Sequence, residues 1–229
     1  MKPIIIANWK MNPENVRQAK ALFAAAQRTA LGGDVDVIIC PPYPYLLPLR
    51  QMAKKKVALG AQDCSWKDGG AFTGEVSAKQ LKDIGCRYVI VGHSERRKYL
   101  AETLGMTKAK VEAALRAGLS VILCVENVRE LQMIMKKIKR SKNILVVFEP
   151  SSAISTLGGK RITPDNIATM ARAMKKITGR NTKILYGGSV NAKNITAIMQ
   201  EGKVPGVLVG AVSLNAREFA SLVKAARLG

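Results

Sequence analysis

Eight short, continuously apolar runs recur along the chain, and each is followed by a stretch with helical spacing. The runs are Pro3–Ala7, Val35–Cys40, Val57–Ala61, Arg87–Val91, Ser120–Val125, Asn143–Phe148, Lys183–Tyr186 and Gly206–Val209. Parallel strands covered by helices on their outer face and packed on their inner face read in this way, without polar alternation. The helical stretches are Glu14–Thr29, Tyr45–Lys54, Ser77–Ile84, Thr107–Ala117, Val128–Lys139, Pro164–Thr178, Ala192–Glu201 and Ala216–Ala226. Pro13 stands where a first helical position tolerates proline, and Thr163-Pro164 reads as a cap followed by such a position. Eight βα units of about 29 residues each predict an α/β chain closed into a (β/α)8 barrel, one domain over residues 1–229. An open doubly wound sheet is the alternative, and the lack of GxGxxG after the first run weighs against it. The unit between Cys124 and Glu149 is short, so its helix should be trimmed.

The charge balance bears on partners. Lys and Arg number 37 against 16 Asp and Glu, a formal net charge of +21. Such a balance raises nucleic-acid binding. The cations, however, are spread over nearly every expected helix, with local runs only at 54–56 and 136–140. Aromatic residues are 5% of the chain and do not interleave with those runs, so platforms for stacking bases are poor. Solvated helix faces, no specific nucleic-acid partner, and a field that speeds capture of small anions are expected. No signal-peptide pattern opens the sequence, and Pro3–Ala7 is too short to span a bilayer, so a soluble cytoplasmic chain without a membrane partner is expected. Cys40, Cys64, Cys86 and Cys124 lie far apart with no CxxC, which suits buried, reduced thiols.

In a closed parallel barrel the strand C-termini converge on one face, so the residue just past each strand is a candidate for chemistry. The single histidine, His93, follows the fourth run, with Ser94 or Glu95 at a helix start whose dipole disfavours an imidazolium. Its bland alternative is a structural residue capping the loop. Glu149 follows the sixth run, partly desolvated as suits a base, though a salt-bridged glutamate beside an ordinary loop fits as well. The small-residue segment 150–159 after it could close as a lid. Lys10 follows the first run; it reads either as an anion-binding cation or as a solvated lysine. The seventh and eighth runs end in Tyr186-Gly187-Gly188-Ser189-Val190 and Val209-Gly210-Ala211-Val212-Ser213, a recurrent place for phosphate, where glycines let backbone N–H groups approach. Together these describe a small phosphorylated carbonyl compound losing a proton beside its carbonyl, with no metal or cofactor motif required.

The same residues resemble the triosephosphate isomerase family over essentially the whole chain. The carriers are Asn8-Trp9-Lys10-Met11-Asn12, Gly60-Ala61-Gln62-Asp63, Gly69-Gly70-Ala71-Phe72-Thr73-Gly74-Glu75, Tyr88 to Arg97 through Gly92-His93-Ser94-Glu95, Glu149-Pro150, and Tyr186 to Val190. The resemblance implies a TIM barrel that interconverts dihydroxyacetone phosphate and D-glyceraldehyde 3-phosphate through an enediol(ate), a cytoplasmic step of glycolysis and gluconeogenesis without a cofactor. It implies Glu149 as base, and His93 as the electrophile that moves protons between oxygens, an assignment that serves elsewhere as the standard example of pKa tuning. It further implies Lys10 and Asn8 at the substrate, Glu95 in support, and backbone N–H groups of Ser155, Ser189, Gly210 and Ala211 on the phosphate. The 69–75 loop implies a homodimer; a tetramer stays open. Four departures touch the lid and the phosphate grip: Ser152 for a usual Trp, Ser155 for Gly, Ala211 for the second Gly, and Cys124-Val125-Glu126-Asn127 after the fifth run. A catalytically weak barrel kept for binding is the competing reading. Another phosphosugar isomerase barrel is disfavoured, because those sites use paired acids.

Overall fold

The computed structural model describes residues 2–53, 56–138, 141–150 and 162–227. Its strands are β1 (Ile4–Asn8), β2 (Asp36–Cys40), β3 (Val57–Ala61), β4 (Tyr88–Val91), β5 (Ser120–Val125), β6 (Ile144–Phe148), β7 (Lys183–Tyr186) and β8 (Gly206–Val209). All pair in parallel and in chain order, and β8 closes on β1 through Ile4 opposite Gly206. The helices are α1 (Val16–Thr29), α2 (Tyr43–Met52), α3 (Ala78–Asp83), α4 (Ser94–Leu100), α5 (Leu104–Arg116), α6 (Val128–Met135), α7 (Pro164–Thr178), α8 (Ile195–Gln200) and α9 (Ala216–Ala226). None among the described residues is long and apolar enough to cross a membrane.

The continuous apolar runs have a simple origin. Successive strand side chains point to opposite faces, and both faces are buried. Ile4, Ile6, Ile38, Ile90, Ile122, Val147, Leu185 and Leu208 fill the barrel interior. Their neighbours Ile5, Ala7, Ile39, Val89 and Val91 pack outward against Phe23 of α1, Leu131 of α6 and Phe219 of α9. Each fully buried aliphatic side chain contributes about 1.5–3 kcal/mol, and Ile122→Ala in this interior would cost about 2–5 kcal/mol. Closure at β8 depends on a glycine, because a β-carbon on Gly206 would overlap the Ile4 carbonyl. The four cysteines are free and buried.

Several element ends differ from the expectation. Asn15, not Pro13, starts α1: its side chain accepts the Gln18 N–H at 3.0 Å, and Pro13 stays outside the helix behind a cis Asn12–Pro13 bond. Helix α2 begins two residues early, with Pro44 in its first turn and Pro48 inside. Helix α5 begins at Leu104 because Thr103 caps it, accepting the Met106 N–H at 3.2 Å. Helix α8 is shorter than 192–201, since the Asn194 side chain takes the Asn191 N–H and holds a turn there. Helix α6 is short, in line with its trimmed unit, but ends at Met135 rather than at Lys139, ahead of Lys137 at φ 68°; Lys139, like Lys54, lies outside the described residues. Helix α4 starts at Ser94, one of the two helix starts expected after His93, although its span was not among the expected helical stretches. The caps at Ser77 and Thr163 are formed as the sequence suggests.

Candidate active site

Three strand ends carry the groups that meet. After β4, Gly92 turns at φ 72°, where a β-carbon would lie 2.7 Å from Thr107 Cγ2, so only glycine makes this turn. The turn sets His93 as the N-cap of α4. Its Nδ1 accepts the Glu95 N–H at 3.3 Å. A ring nitrogen that accepts carries no proton, so the proton of the neutral imidazole sits on Nε2. That nitrogen lies 3.3 Å from Glu149 Oε1.

Glu149 follows β6 and is 1% exposed. Its own N–H donates to the Val125 carbonyl at 2.8 Å, extending the sheet by one residue, and its Oε2 accepts the Ser94 N–H at 3.2 Å. Cys124 of β5 lies near the same carboxyl, and burial, followed by the Glu149 carboxylate, holds that thiol well above its ordinary range. Gly187 packs on the other side. A β-carbon there would stand 2.6 Å from Val147 Cγ1 and 2.8 Å from Glu149 Cγ.

Lys10 follows β1 at φ 53°, a left-handed conformation that costs a non-glycine residue about 1–3 kcal/mol. The surroundings hold it there. Its N–H donates to Asn8 Oδ1 at 3.0 Å, and Gln62 Nε2 donates to the Lys10 carbonyl at 2.8 Å and to that of Cys40 at 2.9 Å. The ammonium then reaches Glu95 Oε1 at 2.6 Å, while Glu95 Oε2 stands 3.7 Å from His93 Nδ1, beyond hydrogen-bond range.

These groups open on one cavity of about 340 Å3, within the size range of small-molecule sites. Asn8, Lys10, His93, Glu149, Ser189, Gly210 and Ala211 all line it. Glu95 does not line it and meets it through Lys10. Beyond Gly210 the chain enters a single 3-10 turn, Ala211–Leu214, whose first residues present a helix N-terminus to the cavity. The Gly210 carbonyl is turned away and taken by Ser213, from its hydroxyl at 2.6 Å and its N–H at 2.8 Å. A β-carbon on Gly210 would lie 3.3 Å from Lys10 Cε, so this strand end sits close against the lysine stem. Ser152 and Ser155 lie outside the described residues. Among the described residues no group of three or more His, Cys, Asp or Glu side chains is placed to hold a metal ion.

Reading strand ends alone misses the layer beneath. Lys110, 1% exposed, donates to Asp63 at 2.8 and 2.9 Å and to Glu102 at 2.6 Å. Arg96, one residue beyond Glu95, joins the same two carboxylates at 2.9 and 2.7 Å. Burial opposes ionisation of Glu102, but hydrogen bonds from Lys110 and Arg96 outweigh it and hold that carboxyl below its usual range. The network pins the first turn of α4 to the end of β3, and with it the N–H that fixes the His93 tautomer. Only the quoted Gln62-Asp63 and Arg96 signalled it in the sequence.

Comparison with known proteins bears on identity. The family model described as triosephosphate isomerase matches residues 3–226. A protein named triosephosphate isomerase from Coprinopsis cinerea is 38% identical over 242 residues, covering 95% of each chain. Proteins of the same name from Shewanella pealeana and Hahella chejuensis are 36% and 35% identical, over 96% and 98% of each chain. With a closed eightfold barrel, a carboxylate facing an imidazole N–H, and a match from end to end, this chain belongs to the triosephosphate isomerase family.

Proposed function

We propose that this chain, one barrel domain over residues 1–229, interconverts D-glyceraldehyde 3-phosphate and dihydroxyacetone phosphate, a step of glycolysis and gluconeogenesis in the cytoplasm. The observation that carries the mechanism is the enforced His93 tautomer, with its Nε2–H aimed at the space beside the Glu149 carboxylate. The substrate phosphate docks on backbone N–H groups of Ser189, Gly210 and Ala211, with Ser155 completing the grip from the segment after β6. Lys10 supplies the cation opposite the phosphate and the developing oxyanion, and Asn8 holds the Lys10 backbone in place. The reacting carbons then enter between His93 and Glu149 and replace their mutual contact. Glu149 removes a proton from the carbon beside the carbonyl. His93 donates Nε2–H to the carbonyl oxygen, giving an enediol(ate) with charge spread between the two groups. Glu149 returns its proton to the neighbouring carbon while His93 Nε2 takes back a proton from the other enediol oxygen, which re-forms a carbonyl there and regenerates both groups. Glu95 acts at one remove, balancing Lys10 through its side chain and fixing His93 through its N–H. No metal or cofactor takes part.

A homodimer is part of the proposal. Residues 67–75 are exposed throughout, Phe72 is 40% exposed, and Met11, next to Lys10, is 93% exposed. Their apolar surface would leave water if a second copy covered this rim.

A coupled assay with D-glyceraldehyde 3-phosphate, run in deuterium oxide, tests the mechanism. The expected result is fast conversion, with solvent deuterium incorporated at the carbon that gains a proton. A folded chain that does not convert the substrate would return the binding-only reading to the front.

A further inference from the structure

A second cavity, of about 630 Å3, is larger than the one of about 340 Å3 that holds His93 and Glu149. It opens at the opposite, N-terminal end of the barrel, between the first residues of β4 to β7. Tyr88 and Ser120, paired across β4 and β5, form its floor; Lys142, Arg180, Thr182 and Lys183 form its rim. Three of its lining residues are cations and none is a carboxylate. Among the described residues, none of the three makes an ion pair.

Lys183 is the informative one. Leu185 packs in the barrel interior, and side chains two residues apart on a strand share a face, so Lys183 starts β7 on the interior face. It is half-buried there. A cation at the mouth of an apolar barrel with no counter-charge is unfavourable unless water or an anion meets it. Arg180 adds a planar fork of donors, suited to phosphate oxygens, and Lys142 adds a third charge across the opening. The hydroxyl of Ser120 supplies a neutral donor, while that of Thr182 already donates to the Thr178 carbonyl at 3.1 Å.

From this cavity we infer a second anion site, which takes an oligophosphate: an anion of two or more linked phosphates, free or carried by a nucleoside. Three separated cations around a space nearly twice that of the other cavity exceed what one monophosphate needs. The net charge of +21 raises the local concentration of such an anion. The site lies at the end of the barrel remote from the chemistry, so its occupation and that of the first cavity are independent.

Calorimetric titration of the full chain with inorganic tripolyphosphate tests this, with glycerol 3-phosphate saturating the first cavity. One equivalent should bind per chain. Affinity should fall about tenfold in Arg180→Ala and again in Lys183→Met, the loss of one charge-assisted bond each, and stay unchanged in Lys10→Met. Arg180 is exposed, so its variant keeps the fold even if Lys183→Met does not. ATP in place of tripolyphosphate separates the sources: tighter binding with the same dependence on Arg180 marks a nucleotide site, and equal or weaker binding an inorganic one. Absence of binding, displacement by glycerol 3-phosphate, or loss in Lys10→Met would overturn the inference. So would several weak equivalents that respond to Lys20→Ala and Lys224→Ala as much as to Arg180→Ala.

Discussion

Gly187→Ala isolates how closely the fold must hold the base. Gly187 lies outside the left-handed region, so an added methyl strains no backbone and acts by contact alone. That methyl would meet Val147 Cγ1 at 2.6 Å and Glu149 Cγ at 2.8 Å, with Oε1 at 3.3 Å. Carbon pairs settle at about 3.5–4 Å, so both contacts are short by roughly an ångström and each must open. Val147 sits in the barrel interior and is fully buried, with no room to retreat. The carboxylate therefore takes most of the shift, away from the position 3.3 Å from His93 Nε2. A misplacement of that size costs about tenfold to a hundredfold in rate, or about 1.4–2.7 kcal/mol of barrier. Steady-state kinetics with D-glyceraldehyde 3-phosphate should show the loss in kcat, with KM changed less than threefold or so, because the phosphate contacts are untouched. Gly105→Ala is the matched control: its β-carbon meets only Thr103 Oγ1 at 3.7 Å, so kcat should hold and stability rise by about 0.5 kcal/mol. A Gly187→Ala enzyme with native kcat would refute the reasoning.

Other perturbations follow from the same geometry. Lys10→Met removes the cation facing the substrate's charge and should lower kcat/KM by about 10- to 100-fold, the loss of one charge-assisted interaction; a change below threefold would return Lys10 to the solvated surface. Lys110→Met strands Asp63 and Glu102 with Arg96 alone and should cost about 3 kcal/mol in urea unfolding at fixed protein concentration, whereas a cost under about 1 kcal/mol would mean the network is redundant. Burial pushes the Cys86 thiol up to about 12, and burial followed by the Asp63 charge pushes Cys64 up to about 12. An aromatic disulfide reagent at pH 8 should therefore label no cysteine of the native chain and all four once it is unfolded; rapid native labelling would contradict the packing.

The parts of the fold legible in the sequence are those where local chemistry and global burial agree. Strands β3, β5, β7 and β8 end where the apolar runs end, because both faces of each strand are buried. Helices α7 and α9 start where Thr163 and Asn215 cap them. The start of helix α4 at Ser94 was legible but its extent was not, because it is short and, past Ser94, largely polar, with a buried face too small to set a period. Pro13 misled because a tolerated position is not an occupied one: Asn15 offered a better cap. At the site, Lys10, His93 and Glu149 were legible as polar residues directly after apolar strands, and β-strand closure brings them together. What tunes them was not. Lys110 and Asp63 are 47 residues apart in sequence, and no local pattern announces a contact made through tertiary packing. The His93 tautomer likewise depends on one backbone N–H, which only the helix start reveals.

The proposed mechanism turns on Glu149 as the base. The most direct measurement is kcat for D-glyceraldehyde 3-phosphate in the native chain and in Glu149→Gln, which keeps the side-chain shape and removes the basic oxygen. An active native enzyme and a fall of about 10²–10⁴-fold in the variant are expected, with the fold and KM retained. A variant within tenfold of native would contradict it and move proton abstraction to another group.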